Sequence, residues 1–192
     1  MMPPIVKKAL YFAAQKHDGQ YRKAGNVPYI VHPTQVALGV STYTKDEEVV
    51  AAAFLHDVLE DCPTVSVNTL QKEFGNKIAQ LVDEVSLVAN KKFATWKERK
   101  EIYLKKIKDA SKEALIIVAV DKVANMQAYV EALEKQGNDV AKYFGGTPDE
   151  YCWYYTEVYN TLISTLGTCP LTQDYLAIWE LHKNRILHLV HV

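Results

Sequence analysis

The stretch Val49-Val50-Ala51-Ala52-Ala53-Phe54-Leu55-His56-Asp57-Val58-Leu59-Glu60-Asp61 decides the reading of this chain. Asp46 supplies an N-cap ahead of it, and Pro63 closes it. Its apolar body, Val49 to Leu59, is expected to form one buried helix. At about 100° per residue, positions i, i+1, i+4 and i+5 fall within an arc of roughly 140°. One face then carries the imidazole of His56 and the carboxylates of Asp57, Glu60 and Asp61, while Val58 and Leu59 point elsewhere. Three like charges crowded together repel, and burial adds a desolvation cost. A divalent cation removes that cost, so the pattern points to a metal.

Two further ligands follow from odd placements. His32 precedes Pro33, which puts it at a helix entrance. Asp121 follows the apolar run Leu115 to Val120, a poor place for a carboxylate without a partner, and Asn125 lies one turn on along the same face. Two imidazoles and two carboxylates suit Mn²⁺, Fe²⁺ or Zn²⁺ better than Ca²⁺. Such an ion leaves positions for water and a phosphoryl oxygen. Glu60 and Asp61, one turn beyond His56-Asp57, stand where they can reach that water.

Working outward, helical periodicity dominates. Ile5, Ala9, Phe12 and Ala13 form a stripe, and Val36 to Val40 follow Pro33. Leu70 to Phe74 is closed by Gly75, and Ile78, Leu81, Val82 and Val85 form the next face. Trp96 to Ile107 reads as a charged amphipathic helix. A long helix starts at Ser111, turns Leu115, Val118, Met126, Tyr129 and Leu133 inward and ends near Gly137. After the turn Gly145-Gly146-Thr147-Pro148 come an aromatic helix to about Leu166 and a last one from about Leu171. Val65 to Val67 alternates briefly, and Leu115 to Val120 reads as buried helix rather than strand. The expected fold class is all-α, a single domain over 1–192 of about eight to ten helices, with a core at 5–135 and C-terminal helices at 148–190.

A net charge of −1 excludes a whole-protein field that would gather nucleic acid or an anionic membrane. Anionic ligands must therefore meet local clusters: Arg22-Lys23, Lys91-Lys92, and Lys97 with Arg99 and Lys100. Tyr151, Trp153, Tyr154, Tyr155 and Tyr159 could stack on a base, although at helical spacing most belong to the core. Three cysteines without a C-x-x-C spacing read as free thiols of a reducing compartment, and the N-terminus lacks a signal-peptide pattern, so the cytoplasm is expected. His17 is placed at the end of the first helix. His182, His188 and His191 fall on the last helix, which could pack on the body or on a second copy in a homo-oligomer.

The segments Pro28-Tyr29-Ile30-Val31-His32-Pro33, Phe54 to Asp61 and Ala119-Val120-Asp121-Lys122-Val123-Ala124-Asn125-Met126 resemble the HD superfamily. With Gln20-Tyr21-Arg22-Lys23, Phe74-Gly75 and Glu98-Arg99-Lys100, they are similar to the hydrolase domain of RelA/SpoT-type enzymes and the small alarmone hydrolases. The resemblance implies an HD-type helical bundle. It implies Mn²⁺-dependent hydrolysis of guanosine 3′,5′-bis(diphosphate)-type alarmones to GDP or GTP and pyrophosphate. On this chain it implies metal ligands His32, His56, Asp57 and Asp121, and catalytic Glu60 and Asp61. It also implies nucleotide contacts from Arg22, Lys23, Lys97, Asn125 and Tyr154 or Tyr155. This chain departs from the pattern at Trp96, where those hydrolases often carry a lysine, and at Cys62, where a threonine is usual. Alternatives are a phosphatase on another nucleotide, such as a 2′- or 3′-phosphorylated dinucleotide, and a non-catalytic nucleotide sensor. The presence of Glu60 and Asp61 argues against the sensor.

Overall fold

In the computed structural model, α3 (Glu47–Leu55) runs through the centre, with Val49, Ala51, Ala52, Ala53, Phe54 and Leu55 all buried. A helix apolar all round must be covered all round. Here α1 (Pro4–Lys16), α2 (Val31–Tyr43), α6 (Asn76–Val85) and α8 (Lys112–Gln136) cover it. The three alanines let these neighbours approach closely. The structure describes residues 2–22, 26–87, 93–140 and 144–190. Lys23, Lys91, Lys92 and His191 lie outside these residues, as does the side chain of His188.

The remaining elements are α4 (Val58–Asp61), α5 (Val67–Phe74), α7 (Trp96–Ile107), a 3₁₀ turn (Gly137–Val140), α9 (Pro148–Leu166) and α10 (Pro170–Val190). Nine helices of eight residues or more and the single turn α4 make an all-α fold, with no strand among the described residues. Val65 to Val67 does not pair; Ser66 instead caps α5 by accepting from the Thr69 amide. Asp46 accepts from the Glu48 amide, and Ser111 from the Ala114 amide. Thr147 and Glu150 form a capping box with Pro148 in the first turn of α9. In α1, Val6, Ala9 and Ala13 are buried, while Ile5 and Phe12 sit at the edge of the core.

One expectation is corrected. Val49 to Leu59 is not one helix: α3 ends at Leu55, and His56-Asp57 form a turn before α4. The reason is a diverted carbonyl. In a continuous helix the His56 carbonyl would accept from the Glu60 amide. Instead the Ser86 hydroxyl donates to it at 3.0 Å, and the Glu60 amide bonds to the Asp57 carbonyl at 3.1 Å. The turn tightens there, as in a 3₁₀ helix.

A second close approach joins the two helices that carry His32 and Asp121. On α2, a Cβ at Gly39 would lie 2.6 Å from Cγ1 of Val120 on α8. Only a glycine allows this crossing, one residue before Asp121. The long α8 then packs along α10, and α9 lies between α10 and α7. The apolar face of α10, with Tyr175, Trp179 and Ile186, is buried within the same chain. No helix among the described residues is long and apolar enough to cross a membrane.

Candidate active site

His32 stands in the first turn of α2, His56 and Asp57 in the turn after α3, and Asp121 at the inner face of α8. Their donor atoms converge. His32 Nε2 lies 3.1 Å from Asp121 Oδ1 and 3.5 Å from Asp57 Oδ2. His56 Nε2 lies 3.1 Å from Asp57 Oδ2, 3.6 Å from Asp121 Oδ1 and 3.3 Å from His32 Nε2. Bonds of about 2.1 Å to one ion place neighbouring ligand atoms about 3.0–3.4 Å apart, so the closely grouped His32, His56 and Asp57 fit a first-row divalent cation, with Asp121 beside both imidazoles. Hydrogen bonding agrees. His56 Nδ1 lies 2.8 Å from the Ala53 carbonyl, and donating there leaves the Nε2 lone pair facing the quartet. Two imidazole lone pairs and two carboxylates facing one point repel unless a positive charge lies between them. In the protein alone that charge is a proton: burial lowers the His56 pKa, but Asp57 and Asp121 outweigh it and raise it well above the ordinary value.

Around the quartet stands a ring of supporting groups. The Tyr29 hydroxyl donates to Asp57 Oδ2 at 2.8 Å. Lys122 pairs with Asp121 Oδ2, and the Asn125 amide donates to Asp121 Oδ1 at 2.6 Å. Arg22 donates to Asn125 Oδ1 at 3.1 Å. Arg22 is fixed by two backbone bonds, from its own amide to the Val27 carbonyl and from the Tyr29 amide to the Gln20 carbonyl. His17 at the C-cap of α1 is buried, stacks 4.8 Å from the Tyr29 ring and lies 2.7 Å from Gln20 Oε1. It supports Tyr29 and Gln20 from the end of α1.

Glu60 and Asp61 face the same cavity, which has a volume of about 580 Å³. Glu60 Oε1 accepts from the Leu87 amide at 2.7 Å, and Oε2 from Arg99 at 3.0 Å. Burial and then the nearby Asp57 carboxylate raise the pKa of both groups; the Leu87 amide and Arg99 oppose the shift at Glu60, and Tyr29 opposes it at Asp61. Carboxyls moved towards neutrality beside a metal quartet are placed to accept and return a proton.

Of the nucleotide contacts expected from sequence, Arg22, Asn125, Tyr154 and Tyr155 line the cavity. Lys97 does not, and that expectation is corrected: it is exposed on α7, with its ammonium 5.3 Å from the Trp153 ring. One turn on, Lys100 faces inward instead, because the apolar side of α7 (Tyr103, Leu104, Ile107) sets the helix rotation. Lys23 lies outside the described residues. Sequence reading gave no role of their own to Tyr29 or Lys122, and placed Arg99 only in a cationic cluster with Lys97 and Lys100.

The comparisons with known proteins agree with this geometry. A family model described as HD domain matches residues 9–145, well over half of the chain. A guanosine-3′,5′-bis(diphosphate) 3′-pyrophosphohydrolase of Aquifex aeolicus is 33% identical over 139 residues, 71% of this chain and 19% of that protein. One of Haemophilus influenzae is 35% identical over 143 residues, 73% of this chain and 20% of that protein. The chain thus spans about a fifth of the length of the curated relatives it matches. A solved structure of a metazoan ortholog of SpoT, described as hydrolysing ppGpp, superposes with a TM-score of 0.67 at 26% identity. It covers 97% of this chain and 95% of its own. The donor set and the flanking carboxylates suit a metal-dependent phosphohydrolase, and the chain belongs to the HD domain family.

Proposed function

We propose that this chain is a cytoplasmic 3′-pyrophosphohydrolase of guanosine 3′,5′-bis(diphosphate)-type alarmones, using Mn²⁺. The observation that carries this reading is a quartet of two histidines and two aspartates, flanked by Glu60 and Asp61, in a cavity also lined by Arg22, Arg99, Lys100 and Lys122. The whole chain carries a net charge of −1, so this concentration of cations is local and matches a polyphosphate. The named activities of the relatives support the nucleotide.

When bound at His32, His56, Asp57 and Asp121, the ion supplies Lewis acidity, acidifying a water and polarising a phosphoryl oxygen. The chain's own groups do the rest. Asp61, with no cation partner among the described residues, takes a proton from the attacking water. Glu60, anchored by the Leu87 amide and Arg99, orients that water. The water oxygen bonds to the 3′-phosphorus, the bond from phosphorus to the 3′-oxygen breaks, and the proton ends on that oxygen. Arg22 and Asn125 hold the nucleoside beside Asp121.

The test is direct. Purified protein loaded with Mn²⁺ is expected to release pyrophosphate from guanosine tetraphosphate, and folded, metal-loaded protein that releases none ends this reading. A panel with Fe²⁺ and Zn²⁺ identifies the ion. A second reading, a phosphatase on another phosphorylated nucleotide, is favoured by Trp96, which brings an indole to the cavity. Orthophosphate rather than pyrophosphate as the product distinguishes it.

A further inference from the structure

Four cations line the cavity, and three have polar partners. Arg99 pairs with Glu60, Lys122 with Asp121, and Arg22 donates to Asn125. For Lys100 no carboxylate among the described residues lies within ion-pair distance. Its ammonium sits 4.5 Å from the centroid of the Tyr154 ring and 5.3 Å from that of Trp96. Those rings are fixed. A Cβ at Gly145 or Gly146 would come within 3.0 or 2.8 Å of the Trp96 indole, and Tyr154 is 2% exposed. The Tyr154 hydroxyl is buried and has no hydrogen-bond partner among the described residues.

A desolvated ammonium without a counter-charge and an orphan hydroxyl beside it both cost stability in the bare fold. One ligand anion satisfies both. Lys100 and Tyr154 line the same cavity as His32, Asp57 and Asp121, so this pair faces the metal quartet. A phosphate attached to the phosphorus under attack is the group that reaches it. Resting on the function proposed above, we infer that Lys100 and Tyr154 hold the terminal phosphate of the 3′-diphosphate, with Trp96 flanking Lys100, and so select a diphosphate over a monophosphate at the scissile position. A monophosphate leaves the ammonium and the hydroxyl unpaired.

Inorganic pyrophosphate and orthophosphate are the probes, titrated calorimetrically into the Mn²⁺-loaded full chain. Wild type is expected to prefer pyrophosphate. In Lys100→Met the ratio of pyrophosphate to orthophosphate affinity falls at least about tenfold, Tyr154→Phe lowers it by a few-fold, and Lys100→Arg restores most of it. Melting temperature serves as the folding control, and Lys100→Met removes an unpaired charge, so it is expected to melt no lower than wild type. An unchanged ratio in folded Lys100→Met overturns the inference. Should that variant fail to fold, an unchanged ratio in Tyr154→Phe does so instead. If wild type fails to cleave the alarmone yet binds pyrophosphate through Lys100, the subsite stands and the proposed substrate falls.

Discussion

Tyr29 carries more of the site than its position suggests. Its hydroxyl donates to the Asp57 oxygen that faces both histidines, and its ring is held against His17. A donor of this kind fixes the carboxylate's orientation, and its loss costs about 10- to 100-fold in metal affinity. Tyr29→Phe keeps the ring and is expected to weaken Mn²⁺ binding by that factor in a metal titration; unchanged affinity would show that Asp57 needs no help. Lys100 offers a second test. Burial first, then Lys122 and Arg99, lower its pKa against the opposing pull of Asp121 and Glu60, bringing it to about 7, with Tyr154 and Trp96 as its other neighbours. Below that pH it is charged and attracts a phosphate; above it the charge is lost. The alkaline limb of kcat/KM is therefore expected to fall from about pH 7 and to move to higher pH in Lys100→Arg, whose charge persists. A limb that stays in place in Lys100→Arg assigns it elsewhere. The quartet was legible in the sequence because each ligand stands where a polar residue is costly. Lys100 and Lys97 were not separable, since α7 is charged over much of its surface and only packing fixes its rotation.

Among the elements, α2 and α8 matter most because they bring His32 to Asp121. Gly39 allows their crossing, and the atom it avoids belongs to Val120, a β-branched side chain with little freedom to move. Gly39→Ala is expected to part the helices, cost about 1–3 kcal/mol as overpacking does, and weaken metal binding at the same time. Thermal melts with and without Mn²⁺ separate the two effects, and a variant with native stability and metal affinity would show that the crossing tolerates the shift. Asp46 governs the start of α3. Its carboxylate accepts from the Glu48 amide and pairs with Lys77 at 2.6 Å. Asp46→Ala is expected to cost about 1 kcal/mol in denaturant unfolding. The Lys77 hydrogen bond, ahead of the opposing burial, lowers the Asp46 pKa below its usual 3.8. Its contribution is thus complete above about pH 4 and fades as pH falls through the lowered value, so wild type and Asp46→Ala should converge in stability at acid pH. The starts at Asp46 and Ser111 were legible because Asp and Ser announce helix starts, whereas Ser66 was hidden in a briefly alternating stretch. The break at His56-Asp57 was not, because its cause is a hydroxyl at Ser86, thirty residues on in the chain.

At the scale of the whole molecule, the metal quartet ties together parts of the chain far apart in sequence. His32 and Asp121 come from two core helices and His56-Asp57 from the turn between α3 and α4, and His32, His56 and Asp121 are each at most 5% exposed. That all-α core was legible from periodicity and the four ligands from their costly placements, but the packing that brings them together was not, since nothing in a linear pattern states which helix ends meet. Binding only to the folded state stabilises it by about 2.7 kcal/mol when the free ion is at 100 times its Kd. For a chain of 192 residues, about 2–4 °C of melting temperature accompanies each kcal/mol, so Mn²⁺ should raise the melting temperature by about 5–10 °C over protein stripped with chelator. Asp57→Ala should melt at one temperature with or without the ion, because it lacks the ligand shared by both histidines. A metal-dependent rise that survives in Asp57→Ala would place the stabilising ion outside the quartet. The absence of any rise in wild type at saturating Mn²⁺ would mean that this ion is not the one the four ligands select, and the same melt repeated with Fe²⁺ and Zn²⁺ would identify it.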